Sequence, residues 1–258
     1  MSRTMIPLVS LATALLTALP AYADWSKQQV EVEGFNLPYQ LFEPENVVGK
    51  IPLVIHLHGS GEAGVDNEKQ MYSGQNIGPD YFASDDIQAI QAAYVLAPQT
   101  PGPMRWANTS LAPYDFSSTP STPSMTTLLA LIDNMVKENS HIDTGRIYMT
   151  GLSRGGQGVW NAAFQRPELF AAIVPIAGSA SPKDAVTIKD IPTWAFHGSC
   201  DPVTKPKYTK DMVDAMIRAG GSTQWIRYTE IECGGHDSSW LTAFSNANLY
   251  QWMLKQHQ

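Results

Sequence analysis

Gly151-Leu152-Ser153-Arg154-Gly155 matches the pattern G-x-S-x-G. A serine placed between glycines on a sharp turn can lift its hydroxyl clear of the backbone and act as a nucleophile. Serine is weakly nucleophilic at neutral pH. It therefore needs a histidine to take its proton and a carboxylate to orient that histidine. The motif alone is weak, because a glycine-rich turn with an ordinary serine reads the same way. Its context is stronger: Arg146 to Thr150 reads as a buried strand immediately before it, and Gly156 to Gln165 as a helix immediately after.

On a sheet with that strand–turn–helix arrangement, the acid and then the base follow the serine in chain order, each past the end of a later strand. Three histidines follow Ser153: His197, His236 and His257. His257 is in the terminal tail, and His197 precedes the carboxylates best placed to be the acid. His236, in the loop Gly234-Gly235-His236-Asp237, is the expected base. Asp201 follows the strand Thr193 to Phe196 through His197-Gly198-Ser199-Cys200 and is the expected acid. Asp184 and Asp190 come before that strand, Asp211 and Asp214 within a helix, and Asp237 beside the histidine itself.

Acyl transfer builds negative charge on a carbonyl oxygen, which backbone N–H groups can stabilise. One donor is expected from Arg154, the residue after the serine. The other is expected from His58-Gly59-Ser60-Gly61, with Ser60 preferred and Gly61 second. His58 is expected to prop this loop through its ring, and Glu62 to support it. His56 and His58 at i and i+2 on a strand would share one face and invite a metal reading. A metal site needs about three or four ligands, and no further set stands out, so neither metal nor cofactor is expected.

The elements that must position these groups alternate along the chain. Gln28 to Glu33 and Pro38 to Phe42 read as a leading hairpin turning at Gly34-Phe35-Asn36. Ile51 to Leu57, Ala92 to Ala97, Ala171 to Ile176 and Thr223 to Tyr228 read as further strands. Thr126 to Lys137, Lys207 to Arg218 and Trp240 to Lys255 read as helices. Apolar strands alternating with helices call for an α/β fold: a mostly parallel central sheet with helices on both faces. The stretch SSTPSTPS, Ser117 to Ser124, reads as a loop within the domain.

The first residues carry a different message. Arg3, the apolar run Leu8 to Leu19 and Ala21-Tyr22-Ala23 have the order of a signal peptide, with cleavage expected after Ala23. The run is short of the roughly 20 residues a transmembrane anchor needs. Residues 24–258 then form one expected catalytic domain, secreted or periplasmic, with no membrane span. The net charge is −7, and no block of Lys or Arg suggests nucleic acid as a partner.

Taken together, LVIHLHGSGEAGVDNEKQ, YVLAPQTPGPMRW, GLSRGGQGVW, IPTWAFHGSCDPV and GGHDSSW resemble the secreted esterases and predicted peptidases related to polyhydroxybutyrate depolymerases and feruloyl esterases. That group lies within the α/β-hydrolase superfamily, and the resemblance runs from about Ile51 to Gln256. It implies the α/β-hydrolase fold, a triad on Ser153, Asp201 and His236, oxyanion donors on Ser60 and Arg154, and carboxylic esters as substrates. Arg154 departs from the methionine common in the group, and Thr204-Lys205 from Val-Pro. Two other readings stay open: a peptidase or amidase of the same fold, and a non-catalytic binding protein on it.

Cys200 and Cys233, the only cysteines, flank the expected acid and base. A working triad would bring their loops together, so a disulfide is expected in an exported chain, against the alternative of two free thiols. The segments Gly61 to Gln91 and Gln99 to Ser124 are the expected pocket walls. Trp106, Gln157 and Trp240 are candidates for lining the pocket, with core packing the alternative for both tryptophans.

Overall fold

The structure, a computed structural model, describes residues 24–258. The expected signal peptide, residues 1–23, lies outside the described residues. One eight-stranded sheet carries the architecture, in the order β1-β2-β4-β3-β5-β6-β7-β8. The strands are β1 Asp24–Val32, β2 Phe35–Glu43, β3 Ile51–Leu57, β4 Tyr94–Pro98, β5 Ile142–Leu152, β6 Ala172–Ile176, β7 Thr193–Gly198 and β8 Ile226–Ile231. The helices are α1 Lys69–Tyr72, α2 Gly78–Ala83, α3 Asp85–Ile90, α4 Pro123–Glu138, α5 Arg154–Gln165, α6 Pro206–Arg218, α7 Ser238–Phe244 and α8 Leu249–Met253. β1 and β2 are antiparallel, β2 joins β4 antiparallel, and every pairing from β4 to β8 is parallel.

Alternation of side chains explains how one sheet serves two cores. Leu53, Ile55 and Leu57 of β3 join α4, α5 and α6 in the first, with Leu128, Trp160 and Met216 among its members. Val54 of the same strand points the other way, into a core with Phe82, Phe244, Tyr250 and Trp252. Strands covered on both faces run mostly apolar rather than alternating, and β3, β4, β6 and β7 are buried along their whole length. β1, at the edge, alternates instead.

Several element boundaries differ from the sequence expectation: β5 begins at Ile142 rather than Arg146, α4 begins at Pro123 inside the stretch read as a loop, and β8 runs Ile226–Ile231 rather than Thr223 to Tyr228. The hairpin turns at Glu33-Gly34, so that Val32 faces Phe35 and Phe35-Asn36 already belong to β2. Both turn residues take positive φ, 51° and 78°, as a two-residue turn matched to strand twist requires. The expected closing helix from Trp240 to Lys255 is two short helices, α7 and α8. Between them the Asn246 side chain accepts the N–H of Asn248 at 3.0 Å, a local bond that competes with helix continuation.

Candidate active site

The chemistry-bearing residues gather past the C-terminal ends of β3, β5, β7 and β8, the edge where open parallel sheets place their sites. Ser153 stands between β5 and α5 with φ 55° and ψ −115°, a conformation that costs energy for any residue with a Cβ. Its N–H is fixed to the Ile176 carbonyl at 2.8 Å. The neighbouring glycines are there for contact. A Cβ on Gly155 would run into the Leu57 carbonyl, and one on Gly156 into the Ile176 carbonyl. The close approach of α5 to the sheet, which forces the turn, is therefore possible only with bare backbone at these positions.

From this turn a line of hydrogen bonds crosses the cleft. Ser153 Oγ is 2.9 Å from His236 Nε2, and His236 Nδ1 is 2.6 Å from Asp201 Oδ2. Asp201 is held from several directions. Its Oδ1 accepts the N–H groups of Val203 and Thr204 at 2.7 and 3.0 Å, and its Oδ2 also meets His197 Nε2 at 3.0 Å. Burial by itself would push the carboxyl pKa up. The bonds from His197, His236, Thr204 and Val203 outweigh it and hold the group well below the ordinary carboxylate range. Asp201 is thus a charged carboxylate throughout the neutral range.

His197, set aside as a base on chain order, proves to be the second partner of that carboxylate. It is fully buried, and its Nδ1 meets Thr209 Oγ1 at 2.7 Å. The signal available in the sequence was a histidine at a strand end four residues before the acid. Trp240 packs edge-on against His236, with ring centroids 5.1 Å apart, and its indole donates to the Gln75 carbonyl at 3.2 Å. The imidazole is therefore braced on one face by an aromatic ring.

The loop after β3 forms the facing wall. His58 Nε2 accepts the Thr100 N–H at 3.1 Å, so the ring proton sits on Nδ1 and is donated to the Gly59 carbonyl at 2.6 Å. Burial drives the His58 pKa down to about 4, and it remains neutral. The Trp106 indole donates to the His58 carbonyl at 3.1 Å. Glu62 is buried under the same loop, and desolvation raises its carboxyl pKa. His56 and His58 do not share a face. β3 ends at Leu57, so alternation stops there: His56 meets Phe244 in one core, while His58 meets Trp106 in the other. Among the described residues no group of three or more His, Cys, Asp or Glu side chains has metal-ligand geometry.

A cleft of about 330 Å³ opens over the serine, walled by Gly59, Ser60, Glu62, Gln75, His236 and Trp240, with Leu111 and Val203 closing it. Leu111, Gln75 and Glu62 fall in the two segments expected to form the walls. Of the three expected lining residues only Trp240 reaches this cleft. Trp106 is 1 % exposed beneath the loop. Gln157 is equally buried, and its amide donates to the Ser110 carbonyl at 2.6 Å and to Ser179 Oγ at 2.8 Å, so it ties the wall together from behind. The expected disulfide is not formed: Cys200 and Cys233 are free, exposed thiols. The loops do meet, but through hydrogen bonds. The Cys200 N–H reaches the Gly234 carbonyl at 2.9 Å and the Cys233 N–H reaches Ser199 Oγ at 2.8 Å. Cys233 itself sits in a left-handed turn, φ 53°.

Comparison with known proteins places the fold. A crystal structure described as a thermostable esterase superposes with a TM-score of 0.83 at 33 % identity, covering 91 % of this chain and 64 % of that one. A ferulic acid esterase shares the fold at 16 % identity and TM-score 0.66, covering 91 % and 99 % of the two chains. The putative esterase NocK of Nocardia uniformis subsp. tsuyamanensis is 25 % identical over 196 residues, 67 % of this chain and 53 % of that protein. The bifunctional acetylxylan esterase/xylanase XynS20E of Neocallimastix patriciarum is 25 % identical over 183 residues, 70 % of this chain and 23 % of its own length. The chain thus spans about half of one curated relative and about a quarter of the other. The phospholipase/carboxylesterase family profile matches residues 48–239, from just before β3 to the start of α7. Its span takes in the serine turn, the acid and the histidine, and by that match the chain belongs to the phospholipase/carboxylesterase family of α/β-hydrolases.

Proposed function

We propose that this protein is an exported serine esterase that hydrolyses carboxylic esters through an acyl-enzyme on Ser153. The observation that carries the reading is the continuous hydrogen-bonded line from Ser153 Oγ through His236 to a charged Asp201, set on a strained turn at the floor of an open cleft. In the first half-reaction His236 Nε2 takes the Ser153 proton as Oγ bonds to the ester carbonyl carbon. The carbonyl electron pair moves onto oxygen, and the N–H groups of Ser60 and Arg154 receive the charge. Arg154 is the first residue of α5, and the leading N–H groups of a helix have no acceptor within it. Collapse of the adduct expels the alcohol, which leaves with the proton from His236. Water then attacks the acyl-enzyme, giving His236 a proton that returns to Ser153 as the acid departs. The net change is ester plus water to acid plus alcohol, with no cofactor.

Turnover of nitrophenyl esters of graded acyl length, a feruloyl ester, an acetylated sugar and a peptide anilide, by wild type and Ser153→Ala, tests this. Ester turnover should be present and should fall at least ~10⁴-fold in the variant. Cleavage of the anilide alone would make the protein a peptidase. An inert but folded wild type, or a fully active variant, would overturn the reading. Export rests on the signal-like order of residues 1–23. N-terminal sequencing of protein recovered outside the cytoplasm should begin at Asp24.

A further inference from the structure

Beside the cleft over Ser153 lies a second cavity of about 300 Å³, and the two share Gly59 and Ser60 as a common wall. Two arginines, Arg105 and Arg154, are among the residues that line this second cavity. Arg154 donates from Nε to Ser60 Oγ at 3.1 Å and from Nη1 to the Thr109 carbonyl at 3.2 Å. Arg105 donates from Nη1 to the same Thr109 carbonyl at 2.5 Å. Two cations therefore converge on one neutral acceptor.

Among the described residues neither has a carboxylate partner. The arginine ion pairs among the described residues belong to Arg146 and Arg166. This happens in a chain where acidic residues outnumber basic ones, 24 to 17. Placing like charges together without a counter-ion is unfavourable, and the more so where water is partly excluded. Arg154 registers that cost: burial first, and Arg105 second, push its pKa below the ordinary arginine value. A guanidinium is a planar fork of five N–H donors, and the bonds named above use only part of each fork. The unused donors suit a carboxylate, which two such forks could bind with good geometry. The contact of Arg154 with Ser60 ties this cavity to the loop expected to supply an oxyanion donor.

We propose that Arg105 and Arg154 form a subsite for a carboxylate carried by the substrate, so that the enzyme selects esters bearing a negative charge over neutral ones. This rests on the serine esterase reading and adds a substrate class to it. The side chain of Arg154 acts here, separately from its backbone N–H.

The test uses two matched pairs of esters at low ionic strength. One pair carries the charge on the acyl side, the nitrophenyl monoester of succinate against its neutral succinamate. The other carries it on the leaving group, the butyrate ester of hydroxybenzoate against that of hydroxybenzamide. In at least one pair, kcat/KM should favour the anion by about tenfold or more, the worth of one charge-assisted contact. The pair that responds assigns the carboxylate to the acyl or the alcohol moiety. Arg105→Met should bring the anion-to-neutral ratio close to one, Arg105→Lys should restore part of it, and about 1 M salt should suppress it by cutting the screening length to ~3 Å. No preference in either pair for wild type, or a preference unchanged in Arg105→Met, would overturn the inference while leaving the esterase reading intact. Absence of turnover for all four esters would remove both together.

Discussion

His56 and His58 stand at the end of β3, and His197 and His236 stand on either side of Asp201 across the same cleft. Among the described residues the first two have no carboxylate in hydrogen-bond contact; the nearest is Glu62 Oε2, 3.9 Å from His58 Nδ1. His56 bonds to Asn76 Oδ1 at 2.9 Å, and His58 joins the Gly59 carbonyl to the Thr100 N–H. Burial lowers their pKa values to about 3 and about 4, so both are neutral props. The second two meet one carboxylate oxygen, at 3.0 and 2.6 Å. There an imidazolium can form beside a fixed negative charge. The contrast lies in surroundings rather than in residue type. In the proposed mechanism what matters is a buried charge of opposite sign placed on one ring nitrogen, with the other ring nitrogen free to face a proton donor.

Removing that charge should break the contrast most severely. Asp201→Asn keeps the shape but no longer fixes the His236 tautomer or stabilises its cation, and kcat for ester hydrolysis should fall by roughly 10⁴-fold. If the loss is less than tenfold, another group orients His236. His197→Gln comes next. It withdraws one of the donors that hold Asp201, and a hydrogen bond to a charged group is worth roughly 1.5–3 kcal/mol, so kcat should drop about 10–100-fold. As His197 is a positioning residue, the loss should fall on kcat with KM little changed.

The neutral pair should show itself in stability instead. A histidine whose folded pKa lies below its unfolded value of about 6.5 resists protonation that the unfolded chain accepts freely. The unfolded state therefore binds more protons below that pH, and stability falls as pH drops from about 6.5 towards the folded values of about 4 and 3. Urea unfolding across this range should show the decline. It should be blunted in His58→Gln, at some cost in stability near pH 7. A flat profile in wild type would contradict the neutral, buried assignment. The smallest effect is expected at the cysteines. Titration of the native protein should find two reactive thiols, and Cys200→Ser with Cys233→Ser should change stability by no more than about 0.5 kcal/mol, as at ordinary surface positions.

The readable parts of the molecule were those governed by neighbours in sequence. The apolar runs of β3, β6 and β7 announce strands covered on both faces. Glycine on both sides of Ser153 announces a turn too tight for side chains. The apolar spacing from Thr126 announces α4, although the helix begins earlier, at Pro123, where Thr122 Oγ1 caps it by accepting the Met125 N–H at 3.1 Å. Less legible were features set by a single competing bond or a strand end. Asn246 divided the last helix, and the end of β3 at Leu57 sent His58 to the opposite face from His56. Gln157 was a candidate for lining the cleft. Two hydrogen bonds to the neighbouring loops turned it inward.

By itself, then, the chain determined its α/β class, its mostly parallel sheet, the serine turn and the chain order in which an acid and a base should follow. Those properties depend on local backbone sterics and on the period at which apolar residues recur, and both are written into short stretches. Only the tertiary structure decided which groups meet. His236 reaches back 83 residues to Ser153, Asp201 accepts from two histidines at once, and Arg105 and Arg154 converge on the Thr109 carbonyl. It also decided that the cysteine loops close through hydrogen bonds rather than sulfur. Convergence of this kind depends on how sheet twist and loop paths sum in space, and no window of sequence contains that sum.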